Sequence, residues 1–241
     1  MDNKTNFDFH FHNQKTSDLN ASAKEPFTYN NYSSLSLHIL SFLSIILLIV
    51  LGILFYLTIN HFVLHSPSNI VSQKDLALIS YWINPFVSLN YILLYRASKD
   101  TDSSLIFHKH CDNKGNTLVV IETTKGWKFG GFVDIDWESY KDSGIWEYKY
   151  STDTFLFSIN KQTKYPIKQQ NKAIFCNSKK GPTFGFGHDL SVADNCFTTP
   201  STCRSPYSFS NVQNKNEFNG GEDSFLVKEL EVFLVRVNSK Y

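Results

Sequence analysis

Residues 224–237 read Ser-Phe-Leu-Val-Lys-Glu-Leu-Glu-Val-Phe-Leu-Val-Arg-Val. Apolar and charged side chains alternate through the middle of this run, which is the period of a strand and not of a helix. Leu230, Val232 and Leu234 then share one face, and Glu229 and Glu231 share the other. Side chains two apart on a strand stand about 6.6 Å from each other and point the same way. Working back along the chain, other strand-like runs appear at 154–159 (TFLFSI), 173–176 (AIFC) and 91–97 (YILLYRA). Residues 117–122 (TLVVIE) and 127–133 (WKFGGFV) flank Thr-Thr-Lys-Gly, a hairpin signal. Ser72 with Asp75 has the spacing of a capping box, and Asn84-Pro85 is a stop, so a helix is expected over 73–83. A short helix is expected over 104–110. Short strands separated by turns, with the helices near the start, give an antiparallel α+β domain.

Ahead of that domain lies a different kind of sequence. Residues 35–59 (LSLHILSFLSIILLIVLGILFYLTI) carry no formal charge, and the uncharged window extends from Pro26 to Gln73. About 25 apolar residues in a helix cross a hydrocarbon core of about 30 Å. The reading is therefore a single transmembrane helix at 35–60. Before it comes a polar, disordered tail at 1–34; after it come a linker at 61–71 and the folded domain at 72–237. The sequons at Asn3, Asn20 and Asn31 all fall in the tail, and none follows His65. That places the tail outside and the domain in the cytosol, although Lys15, Lys24 and Lys74 are too few to fix topology by charge.

The balance of 23 basic and 22 acidic residues, net +1, gives no electrostatic reason to expect nucleic acid. None of the four cysteines (Cys111, Cys176, Cys196 and Cys203) forms a CxxC, so no zinc ribbon or thioredoxin-type motif is signalled. Four free thiols are expected; a lumenal domain would instead favour a Cys196–Cys203 disulfide.

Residues 181–190 (GPTFGFGHDL) hold three glycines before His188-Asp189. Gly185-Phe-Gly187 lacks the third glycine and the following helix that a dinucleotide loop needs, and no Walker Gly-Lys-Ser/Thr is present. The structural reading puts a turn at Gly181-Pro182. It sets Gly185 and Gly187 on one side of an extended segment where backbones approach closely, with Phe184 and Phe186 buried opposite. Gly130-Gly131, between Phe129 and Phe132, is read the same way. His108, His110, Cys111, His188 and Asp189 could be drawn together as a zinc set, but His108 and His110 do not share a helix face, so no metal is expected.

Taken in order, several of these segments carry a resemblance. LLYRASKD (93–100), FHKHCDNKGNTLVVI (107–121), FGGF (129–132), FLFSIN (155–160), AIFCN (173–177), GPTFGFGHDL (181–190) and FLVKELEVF (225–233) together resemble the TLDc domain family over 66–236. The resemblance implies two antiparallel sheets packed as a sandwich with helices alongside. It implies a biology of resistance to oxidative damage and, for some members, binding to the vacuolar proton-pumping ATPase. It supplies no active site and no cofactor. One departure is local: FNGGEDSF (218–225) stands where the family more often has a Leu-Ala-Gly turn.

The function expected is that of a membrane-anchored interaction module that catalyses nothing. Its surface is expected to be shaped by Glu229, Glu231, Asp189 and His188 and by turns at Gly130, Gly131, Gly181, Gly185 and Gly187. Glu229 and Glu231 are expected to form a surface carboxylate patch that meets a basic partner or supports adjacent loops. The rival is an enzyme, using Cys111 as a redox thiol activated by nearby positive charge or Glu229 and Glu231 as an acid–base pair.

Overall fold

The computed structural model describes residues 30–64, 67–139, 146–204, 207–210 and 216–238. The tail expected at 1–34 lies almost wholly outside them. The chain divides into two compact units at Leu57/Thr58. In the first, one helix (α1, Asn30–Leu64) carries the apolar stretch Leu35–Leu57, 23 residues that are all exposed. At 1.5 Å per residue that stretch is about 35 Å long, enough to cross a bilayer.

The second unit begins with α2 (Gln73–Ile83). Its start is fixed by both halves of the capping box: Asp75 N donates to Ser72 Oγ at 3.2 Å, and Ser72 N donates to the Asp75 carboxylate at 2.9 Å. Its end is set at Asn84, before Pro85, whose ring disfavours helical backbone in the residue ahead of it. Leu76 and Ile79, one turn apart, are buried, which contributes about 1.5–3 kcal/mol each.

Two six-stranded antiparallel sheets follow among the described residues. The first is ordered β1 (Leu89–Arg96), β12 (Val227–Val237), β2 (Thr117–Thr123), β3 (Lys128–Val133), β5 (Phe155–Ser158) and β6 (Thr163–Pro166). The second is ordered β11 (Ser224–Phe225), β10 (Ser201–Cys203), β9 (Leu190–Ser191), β8 (Thr183–Phe184), β7 (Ile174–Cys176) and β4 (Glu147–Lys149). Two further helices, α3 (Ala97–Asp100) and α4 (Ser104–Cys111), stand between β1 and β2, and a short α5 (Asn216–Asn219) precedes β11. The expected α+β sandwich with flanking helices is what the structure shows.

The last strand, β12, lies between β1 and β2 and pairs with both. Leu230 and Val232 face the interior between the sheets, among Val119, Phe129, Leu156, Ile174 and Phe184. Phe233 and Val235 face the other way, into a second core with Leu118, Val120, Phe132 and the buried residues of α2. The first sheet is therefore covered on both faces. Ile70 and Val71, 2% and 3% exposed, belong to this second core, so the segment read as linker is packed into the domain from Pro67 onward.

The glycine readings divide. Gly130 and Gly131 sit inside β3 as expected for close approach: a Cβ at Gly130 would fall 1.9 Å from the Val119 carbonyl oxygen, and one at Gly131 2.5 Å from the Phe184 ring. Gly181 packs closely on Val192, where a Cβ would fall 3.1 Å from the Val192 Cβ. Gly185 and Gly187 are not in an extended segment. They occupy the tight turn between β8 and β9 with φ of +78° and +80°, and His188 follows at +61°. The turn reverses the chain after Phe184, so Phe184 is buried while Phe186 is left 49% exposed. The expectation that both phenylalanines bury is corrected by that reversal.

Gly130→Ala would drive a methyl group into backbone that cannot withdraw, and is expected to cost about 3 kcal/mol or prevent folding. Gly187→Ala meets open space and only a left-handed φ, and should cost about 1–2 kcal/mol. Thermal denaturation of the two variants beside the parent checks the order; equal losses would refute this account of β3.

Candidate functional site

The expected surface patch on β12 is not at the surface. Glu231 is fully buried and Glu229 is 9% exposed. Each is instead held by neighbouring segments. The Glu231 carboxylate accepts from Arg96 Nε at 2.7 Å, from Asn69 N at 2.9 Å and from the Ser68 hydroxyl. Glu229 accepts from Ser98 N at 3.1 Å and from the Ser98 hydroxyl. Arg96 also donates to the Pro67 carbonyl at 3.0 Å, and Lys128 Nζ to the Ile70 carbonyl at 2.7 Å. The two carboxylates thus fasten the entry segment 67–71 and the start of α3 to the central strand. Of the two roles weighed for them, support of adjacent loops is the one this geometry describes. As an acid–base pair they would need a substrate within reach, and at Glu231 backbone and Arg96 occupy that space.

Asp189 has a comparable task in the second sheet. Its side chain is 1% exposed. One carboxylate oxygen accepts from Tyr207 N at 2.9 Å and the other from Ser208 N at 2.8 Å, while its carbonyl accepts from Arg204 N at 3.1 Å. Ser208 Oγ in turn accepts from Phe186 N at 2.6 Å. Gly185 lacks a side chain because a Cβ there would lie 2.2 Å from the Asp189 carboxylate. Burial pushes the Asp189 carboxyl up to about 6, against the lowering effect of the Ser208 and Tyr207 bonds. His188 is half-buried with its ring 4.7 Å from that of Phe175. Burial, then the charges of Lys180 and Arg204, lower its pKa, which holds it neutral at neutral pH. His188 and Asp189 sit on the second sheet and Glu229 and Glu231 on the first, so the four residues do not form one site.

Cys111 is fully buried at the end of α4, in the core with Phe107 and Trp137. Burial, reinforced by Asp112, pushes its thiol well above the ordinary range. One of the groups expected to activate it, His108, is engaged elsewhere. His108 Nδ1 lies 2.7 Å from the Asp112 carboxylate, and Nε2 lies 3.0 Å from both the Asn177 and Lys180 carbonyls. Two carbonyl oxygens leave Nε2 only the role of donor. His108 is therefore a tie between α4 and the loop before β8. All four cysteines are buried, and none is in a disulfide. No group of three or more metal-ligating side chains comes together among the described residues.

Residues 64–236 match the sequence pattern of the TLDc domain, nearly three quarters of the chain. The chain belongs to the TLDc domain family. Two relatives are TBC1 domain family member 24 of Xenopus laevis, 34% identical over 88 residues, and its counterpart in Xenopus tropicalis, 33% identical over 88 residues. Each match covers 35% of this chain and 16% of the relative. The shared part is thus a fraction of a much longer protein.

Within this TLDc domain the departure at 218–225 has a physical partner. Gly220 and Gly221 both take positive φ, and a Cβ at Gly220 would lie 2.3 Å from Trp127 Nε1. Phe218, just before them, is buried against Phe129 with ring centroids 4.9 Å apart. The residues that sequence reasoning missed are Ser68, Arg96 and Ser98. The available signal was Arg96, a lone charge closing the apolar run 91–95, with two carboxylates left to match in the last strand.

Arg96→Ala would leave Glu231 buried without its cation and is expected to cost about 3–5 kcal/mol. Denaturant unfolding measures this, and a loss under 1 kcal/mol would show the pair to be dispensable. For Asp189 the sign follows from a folded pKa above the unfolded one. Its contribution is fully present below about pH 4 and is lost as pH rises through about 6. Stability of the parent relative to Asp189→Asn should therefore rise on acidification from pH 7 to pH 4; a flat or falling difference would contradict it.

Proposed function

We propose that this chain is a membrane-anchored TLDc module that binds protein partners and carries out no chemistry of its own. The observation that carries the reading is the burial of its reactive groups: Cys111 and Glu231 are inaccessible and Asp189 nearly so. Each carboxylate is occupied by bonds that hold the fold. A nucleophile or general acid must reach its substrate, and these do not.

The apolar helix at 35–57 supports anchoring in a bilayer, and the confinement of the sequons to the tail supports a TLDc domain in the cytosol. Family resemblance suggests the partner, the vacuolar proton-pumping ATPase, and a role in protection against oxidative stress. Anchoring would raise the effective concentration of the domain near any partner in the same membrane. His188 and the exposed turn around Phe186 are the part of the expected interaction surface that remains open to solvent. Glu229 and Glu231 would shape that surface only indirectly, through the segments they fasten.

Three measurements on the full chain bear on this. It should stay with the membrane through a carbonate wash, co-purify with peripheral subunits of the proton pump from solubilised membranes, and leave hydrogen peroxide unconsumed. Release by carbonate overturns the anchor, and absence of the pump subunits overturns that partner. Peroxide consumption lost in Cys111→Ser with the fold intact would establish the redox enzyme instead.

A further inference from the structure

The first sheet is covered on both faces, by the second sheet and by α2. On the second sheet the outward positions Thr183 and Ser191 are buried, 0% and 3% exposed, so its outer face is open toward the β4 edge and not along its whole width. Ile174 and Cys176 of β7 point into the sandwich, so Phe175 points out. Opposite it on β4 is Tyr148, with ring centroids 5.0 Å apart, and Trp146 lies 5.7 Å from the same Phe175 ring. Phe186, from the turn after β8, extends the cluster at 5.8 Å from Tyr148. These rings stack on one another: Phe175 is covered, at 8% exposed, while Trp146 is 58% exposed and Phe186 49%.

Positive charge accompanies the rings. Lys172 Nζ stands 4.2 Å from the centroid of Tyr148 and 5.4 Å from that of Phe186. Lys180 and Arg204 lie near enough to act on His188, which packs on Phe175. Residues 154–188 contain six lysines and no aspartate or glutamate, of which Lys161 and Lys164 stand over Trp127 and Phe155 at the first sheet, away from these rings. The lysines are spaced too widely to read as a charged run, and the whole chain is close to neutral, so composition conceals them.

We infer that the outer face of the second sheet, built on Trp146, Tyr148, Phe175 and Phe186 with Lys172 among them, docks on an anionic lipid headgroup surface. Amphipathic rings settle at the depth of the headgroups. Lysines near an anionic leaflet are attracted by its surface potential. The apolar stretch of α1 ends at Leu57 and the packed domain begins at Pro67. Nine residues, 58–66, separate the two, and 58–64 of these continue α1. A face that binds lipid weakly in free solution is therefore engaged for much of the time once tethered by that connection. An added peptide strand is the poorer fit, because β4 offers an edge of only three residues for main-chain bonds. The inference rests on the bilayer anchor proposed above.

The test uses the full chain in proteoliposomes of phosphatidylcholine alone or with a quarter phosphatidylserine, each prepared with and without brominated acyl chains. The Trp146-dependent part of the fluorescence is taken by difference from Trp146→Phe. Quenching of that part should be at least twofold greater with phosphatidylserine. It should be reduced by 0.5 M salt and be lost in Lys172→Glu, Lys180→Glu, whose substitutions are on the surface. Carbonate resistance of the same variant should be unchanged. Equal quenching in the two lipids, or quenching that survives the double variant, overturns the inference. So does protection of residues 146–150 from hydrogen exchange that appears in native membranes and not in protein-free lipid, since it assigns the face to a protein. Should carbonate release the chain, the anchor fails separately. Flotation of the released protein with added phosphatidylserine vesicles, sensitive to the double variant, would still support the face, and insensitivity would overturn it.

Discussion

Insertion of β12 between β1 and β2 is the constraint on which this structure depends. That one strand supplies residues to both cores, through Leu230 and Val232 on one side and Phe233 and Val235 on the other. Its ladder with β1 joins residues 89–96 to 231–237, and its ladder with β2 joins 117–123 to 227–234. A slip of one residue along such a ladder turns every side chain to the opposite face, so burial itself opposes it. Here a slip would also carry Glu231 away from Arg96 and Asn69. The buried ion pair contributes little net energy if its desolvation is counted, yet the cost of misplacing it fixes the register. Carboxylates that resemble a functional pair in sequence act as the index marks of the fold.

Close approach of the sheets depends on the absence of a side chain at Gly131, and Gly130 beside it spares the neighbouring strands of its own sheet. Gly130 and Gly131 point to opposite faces of β3, and each faces an atom that would overlap a methyl group: backbone of β2 for one, the ring of Phe184 for the other. The second contact links the two glycine-rich segments, because Phe184 immediately precedes the β8–β9 turn. Positive φ at Gly185 and Gly187 allows that turn to be short, and the missing Cβ at Gly185 lets the Asp189 carboxylate lie against the backbone. Asp189 then gathers the amides of Tyr207 and Ser208. The same economy that brings Phe184 inside turns Phe186 outward, so the exposed aromatic face follows from how the core is closed.

Much of this was legible beforehand, for identifiable reasons. The capping box at Ser72 and Asp75, the Thr-Thr-Lys-Gly hairpin and the alternation of 227–237 are local signals, and local backbone energetics decided those elements. Gly130 and Gly131 were legible because paired glycines inside an apolar strand have few other uses. The short strands β4, β6, β8, β9 and β10, two to four residues each, lack room for any period and exist because of their neighbours. Spacing of two between Gly185 and Gly187 mimicked a strand, and positive φ cannot be read from spacing. The burial of Glu229 and Glu231 was hidden for a related reason. A charged residue in an alternating strand normally marks the solvent face, and only the arrival of α3 and of residues 67–71 over that face reverses the inference.

That arrival connects the two ends of the domain. Residues 67–71 reach the core first in sequence and are held by the strand that comes last, through Glu231 on Ser68 and Asn69 and through Arg96 on Pro67. Neither end can settle without the other, since the Asn69 amide has no partner until β12 is in place, and Glu231 has no compensation for its buried charge until the entry segment and Arg96 close over it. Contacts of such long sequence separation form slowly because loop closure precedes their reward. Until then β1 and β2 each present an unpaired, apolar edge of the kind that invites intermolecular pairing.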